Sequence, residues 1–115
     1  MKKRILDATA AEEPGSSWLS AAAVAYMDGC LETQAATALL VEARAEPAIG
    51  PEVRKRGVEL AALTRPSFEA MGWASPETCA VLFGMLTADA ALMEVTRGGR
   101  NPVVRAALLS FIERP

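Results

Sequence analysis

The sequence predicts an all-α protein, and three observations carry that expectation. Hydrophobic residues make up 51% of the chain but aromatic residues only 5%, an alanine-rich composition that suits packed helices and not a β-sandwich. Apolar residues recur at helical spacing through successive segments. The breaks between those segments carry helix-stop and helix-start chemistry, with serine, threonine or asparagine before proline and glycine after the last apolar turn. Six helices and no strands follow from this pattern.

Residues 2–12 are expected to form a short helix anchored by Ile5 and Leu6. Glu13-Pro14-Gly15-Ser16 breaks it, and Ser16 or Ser17 is placed to cap the next helix. That helix, Trp18 to Glu32, carries Trp18, Ala22, Ala25 and Gly29 on one side, with Tyr26, Met27 and Cys30 nearby. Its small residues permit close helix packing or leave space for another group. Thr33 is a candidate cap for a third helix with Ala36, Leu39, Leu40 and Ala43 as its stripe. Pro47 and Gly50 end that helix, and Pro51 opens a fourth.

The fourth helix turns Val53, Gly57, Leu60, Ala61 and Thr64 inward. On its outer side Glu52 with Arg56 and Lys55 with Glu59 sit four apart, each pair contributing about 0.2–0.5 kcal/mol. The triplet Arg54-Lys55-Arg56 is interleaved with these acids and reads as a solvated face. Pro66 must break or kink this helix, because its ring clashes with the carbonyl four residues back. Ser67–Met71 then adds a turn or two. Gly72 is placed for a left-handed C-terminal cap that brings Trp73 against Phe68.

The last two helices are the most informative part. Ser75 and Pro76 open the first of them, and Glu77 lies in its first turn. Between Cys79 and Val95 only Thr87, Asp89 and Glu94 interrupt the apolar residues. A surface helix normally shows one apolar stripe, so a helix apolar on nearly every side needs more partners than this chain offers. A second subunit is the simplest cover. Ala80, Gly84 and Ala88 recur every four residues and make a smooth ridge suited to close approach. Gly98 and Gly99 end the helix, and Asn101-Pro102 starts the last one, where Val104, Ala107, Leu108 and Phe111 share a face. Ala80, Gly84, Ala88, Val104, Leu108 and Phe111 are therefore the expected dimer contacts.

Composition limits the chemistry. A chain of 115 residues is read as one domain with a core of its own. The formal charge of −2 offers no general attraction to nucleic acid or an anionic membrane. No apolar run is long enough for a membrane span because Asp89 interrupts the longest, and acids follow the basic start where a signal peptide would be apolar. The cytoplasm is the expected location. Cys30 and Cys79 lack metal or redox spacing and read as reduced, buried thiols. There is no histidine, which removes the commonest general base and metal ligand. No phosphate loop or acidic pair replaces it, so no catalytic residue, metal or cofactor is assigned and an enzyme is not expected. Asp89, alone among the apolar residues between Cys79 and Met93, has three possible fates: an ion pair with an arginine such as Arg105, a place in a ligand cavity with Trp18, Tyr26 and Met27, or solvent.

The run Val24-Ala25-Tyr26-Met27-Asp28, then Leu40-Val41-Glu42-Ala43-Arg44-Ala45-Glu46-Pro47, then Pro51-Glu52-Val53-Arg54 and the all-apolar helix, resembles the C-terminal domain of TetR-family transcription regulators. The resemblance covers about Trp18 to Ile112 and rests on helix order and loop positions, without an invariant signature. It implies an all-helical effector-binding domain whose last two helices pair across a two-fold axis into a four-helix bundle. Regulators of that family begin with a helix-turn-helix reader. The opening Arg4-Ile5-Leu6-Asp7-Ala8 looks like its first residues, but the turn and recognition helix do not follow, and residues 2–12 correspond instead to the connecting helix. The expectation is a homodimeric domain that senses a small apolar effector and does not itself bind DNA. Two alternatives are a module that pairs with a full-length relative and a small carboxylate-based enzyme.

Overall fold

A computed structural model describes residues 1–34, 42, 46–48 and 50–113, with the side chains of Glu52, Val53 and Arg56 excepted. Every regular element among them is a helix: α1 Lys2–Thr9, α2 Ser16–Glu32, α3 Gly50–Ala62, α4 Arg65–Ala70, α5 Pro76–Arg97 and α6 Pro102–Glu113. The stripe expected for a third helix, Ala36 to Ala43, lies outside the described residues, as does most of the Leu40–Pro47 phrase.

The local signals act where side chains and backbone meet. α4 ends in a left-handed Gly72 (φ 74°), with Trp73 N–H donating to the Phe68 carbonyl at 3.1 Å and Gly72 N–H to that of Glu69 at 3.0 Å. This is the Schellman pattern, closed by a tilted contact between the Phe68 and Trp73 rings, with centroids 5.1 Å apart. Gly98 and Gly99 end α5 in the same way, their N–H groups donating to Val95 and Glu94. At the start of α6 the Asn101 side chain accepts from the N–H groups of Val103 and Val104, both at 3.1 Å. Pro66 separates α3 from α4, as its ring demands.

Several boundaries differ from expectation. α1 stops at Thr9 and buries Ile5, while Leu6 is exposed. Gly15, not a serine, stands at the N-cap of α2. Thr33 closes α2, its hydroxyl donating to the Gly29 carbonyl at 2.9 Å, while the stripe of the third helix that it is expected to cap lies outside the described residues. Ser75 does stand at the start of α5 but makes no side-chain cap bond and takes a left-handed backbone at φ 53°.

The core lies where α2, α4, α5 and α6 meet. Leu19, Met27, Phe68, Phe83 and Ile112 are its fully buried large side chains. Phe68 meets Phe83 edge-on at 5.9 Å, and Trp73 meets Phe111 at 5.7 Å, so one aromatic chain links α4, α5 and α6. α5 packs against α2, α3, α4 and α6. By length and composition it is also apolar enough to cross a bilayer, Asp89 notwithstanding.

Candidate functional site

α5 divides its two sides between two environments. Inward, Phe83, Gly84 and Thr87 form one wall of a cavity of about 70 Å³. Its other walls are Ile5 of α1, Trp18, Ala22, Ala23 and Tyr26 of α2, Gly57, Leu60 and Ala61 of α3, and Thr64. Among the described residues no charged side chain lines it. Both lining threonine hydroxyls donate to carbonyls of their own chain, Thr64 to Ala61 and Thr87 to Phe83, each at 2.7 Å. The pocket is partly open, and Gly57 is the exposed residue of its described lining.

Small residues on α2 and α5 create this geometry. Gly84 lets α5 approach α3: a Cβ there would lie 3.2 Å from the Ala61 Cβ. Gly29 does the same beneath α1, where a Cβ would meet Met1 Cε at 2.8 Å and Arg4 Cδ at 3.1 Å. Ala22 instead borders the cavity. Both readings of the small α2 residues are therefore realised, at different positions along one helix.

Outward, α5 presents Val81, Leu82, Met85, Leu86 and Met93, between 39% and 60% exposed. Asp89 is exposed on that same face and is not among the cavity's lining residues. The buried acid is Glu94, five residues on. Its carboxylate accepts from Arg105 Nε and Nη2, at 2.8 and 2.9 Å, and from Asn101 N–H at 2.7 Å. Arg105 also donates to Asp28 at 2.9 Å, and Arg100 pairs with Asp28 at 3.2 Å. The Arg105 hydrogen bond holds the Glu94 carboxyl below its ordinary value against the opposing effect of burial, and the Asn101 N–H helps. The Glu94 carboxylate in turn raises the Arg105 guanidinium. This cluster ties α2, α5 and α6 together.

Of the ligand candidates read from sequence, Trp18 and Tyr26 line the cavity. Met27 lies in the core and Asp89 faces solvent. Of the dimer candidates, Ala80 and Leu108 are buried in the chain's own core, and Val104 and Phe111 pack against it. Gly84 abuts Ala61, and Ala88 is half-buried. The apolar face left open on α5 is a different one, because periodicity in a helix apolar all round does not show which side meets its own chain. Ile5, Phe83 and Thr87 escaped the sequence reading as cavity residues. The inward stripe Gly57-Leu60-Ala61-Thr64 was the available signal for the α3 wall.

No protein-family model matches the chain, and no curated protein or solved structure matches it.

Proposed function

We propose that this chain is a sensing and self-association domain of the kind that TetR-type regulators carry, pairing with a second copy through the outer face of α5. The observation that carries this reading is the two-sidedness of residues 81–87. Val81, Leu82, Met85 and Leu86 form an open apolar surface while Phe83, Gly84 and Thr87 wall a cavity one helix thickness away. Contiguous exposed apolar side chains are costly to leave in water and mark an association surface. A group entering the cavity displaces α5 and with it the pairing face, which is the linkage a sensor requires. In this reading residues 1–113 do the sensing and pairing, and a DNA reader belongs to other sequence or to a full-length relative.

Light scattering across the micromolar range tests the reading. The chain is expected at the mass of a dimer, and Met85→Glu, which sets a charge at the most exposed position of the face, is expected to shift it to monomer without loss of helix content. A monomer mass for the parent chain sinks the proposal. Asp89→Leu is expected to tighten the pair, since a carboxylate at the centre of the contact must be desolvated or paired.

A further inference from the structure

The geometry points to the cavity between α1, α2, α3 and α5 as a binding site for a small uncharged molecule with a single ring or a short branched alkyl group. This inference rests on the sensing half of the proposed function and names the ligand class. The walls supply aromatic and aliphatic surface from Ile5, Trp18, Leu60 and Phe83. Among the described residues they supply no counter-ion, so an ionised group inside would be stripped of water with none of these side chains to replace it. The hydroxyl hydrogens of Thr64 and Thr87 are engaged by the carbonyls of Ala61 and Phe83, which leaves neither hydrogen to recognise a polar ligand. Apart from the Tyr26 hydroxyl and the Trp18 indole N–H, the described lining offers dispersion and hydrophobic contact.

Size sets the second limit. At about 70 Å³ the cavity is smaller than an engineered apolar cavity of about 150 Å³ that holds benzene. A ring therefore enters by one edge and its remainder lies at the mouth beside Gly57, so a polar tail stays in water. Trp18 in the wall sees the bound molecule, whereas Trp73, in ring contact with Phe68 and Phe111, does not line the pocket.

Titration of the full chain with fluorobenzene, followed by fluorine NMR and by the two tryptophan indole N–H signals, tests the inference. Saturable binding that shifts the Trp18 signal and leaves that of Trp73 in place is expected. Benzoate, the same ring with a charge, is expected to bind at least about tenfold more weakly. Gly57→Leu closes the mouth, and because a Cβ at that position meets nothing within 4 Å the variant keeps its helix content while losing the binding. Thr87→Val keeps the shape of the wall and is expected to bind as the parent does. Non-saturable fluorobenzene, equal affinity for benzoate, undiminished binding by folded Gly57→Leu, or loss of binding in Thr87→Val would each overturn the ligand class. Mass measured on the same samples separates the two readings: a dimer that ignores fluorobenzene removes this inference alone, and a monomer that binds it removes the pairing alone.

Discussion

Arg105 holds both carboxylate oxygens of Glu94 across eleven residues, Nε to Oε2 at 2.8 Å and Nη2 to Oε1 at 2.9 Å, with Glu94 fully buried. Burial of a carboxylate is unfavourable, and this one is tolerated because a bidentate guanidinium and a backbone N–H satisfy it. The result fixes the angle between α5 and α6, since the helix end, the loop and the start of the next helix all bond one side chain.

Removing that side chain's charge is expected to destabilise the fold by about 3 kcal/mol, as breakage of a buried pair does. Urea unfolding of Glu94→Gln at neutral pH measures this. The pH dependence has a definite sign. The Glu94 carboxyl is held below its ordinary value of 4.5 in the folded chain, so its contribution is complete above that value and is lost as pH falls through the lower folded one. The parent chain is expected to lose stability on acidification below about 4.5, and Glu94→Gln to show a flatter acid limb.

Two backbone positions are expected to respond with opposite signs. Gly72 has φ 74°, and Gly72→Ala is expected to cost about 1 kcal/mol by straining the left-handed cap. Ser75 has φ 53° without being glycine, and Ser75→Gly is expected to gain about 0.5 kcal/mol, strain relief outweighing the extra freedom of the unfolded chain. Thermal unfolding of the two single variants decides both; equal signs would show that these turns relax in solution.

Gly84 provides a test of where α5 makes its closest contact. A leucine there meets Ala61 of the same chain, already 3.2 Å from the position of a Cβ. Gly84→Leu is therefore expected to lower the stability of the fold itself by about 1–3 kcal/mol. Unfolding midpoints that fall equally at low and high protein concentration check this. A change seen only in the dissociation constant would place Gly84 between subunits.

Weak binding to nucleic acid is a further expectation. The net charge is −2 and the phosphate-contact contribution to duplex affinity scales with clustered cations. Fluorescence anisotropy at physiological salt is expected to show no saturable binding to a duplex below about 10 μM. Saturation there would remove the reading of these residues as a sensing and pairing domain.

Local chemistry was legible because it is local. The Gly72 cap with its Phe68–Trp73 contact, the Gly98-Gly99 stop, the Asn101 cap and the Pro66 break each depend on residues within one or two turns. Four residues of the stripe read for α3, Gly57, Leu60, Ala61 and Thr64, line the cavity, while the fifth, Val53, has its side chain outside the described residues. Trp18 and Tyr26 could be named as candidates because the small side chains beside them on α2 leave room for another group, and both line the cavity.

Only the tertiary structure decided which face of α5 is spoken for. From Cys79 to Val95 the helix is apolar on nearly every side, so burial of Ala80, Phe83 and Ala91 and exposure of Val81, Met85 and Met93 have the same sequence signature. The choice between Asp89 and Glu94 was of the same kind: each carboxylate lies on a largely apolar helix, and Glu94 is buried because α6 brings Arg105 within reach of it. By itself the sequence determined the all-helical character and several of the helix ends, through torsion angles and hydrogen bonds between near neighbours. Which helix faces meet, and hence the cavity, the open surface and the Glu94–Arg105 pair, depends on contacts between residues far apart in the chain, which no single-helix periodicity encodes.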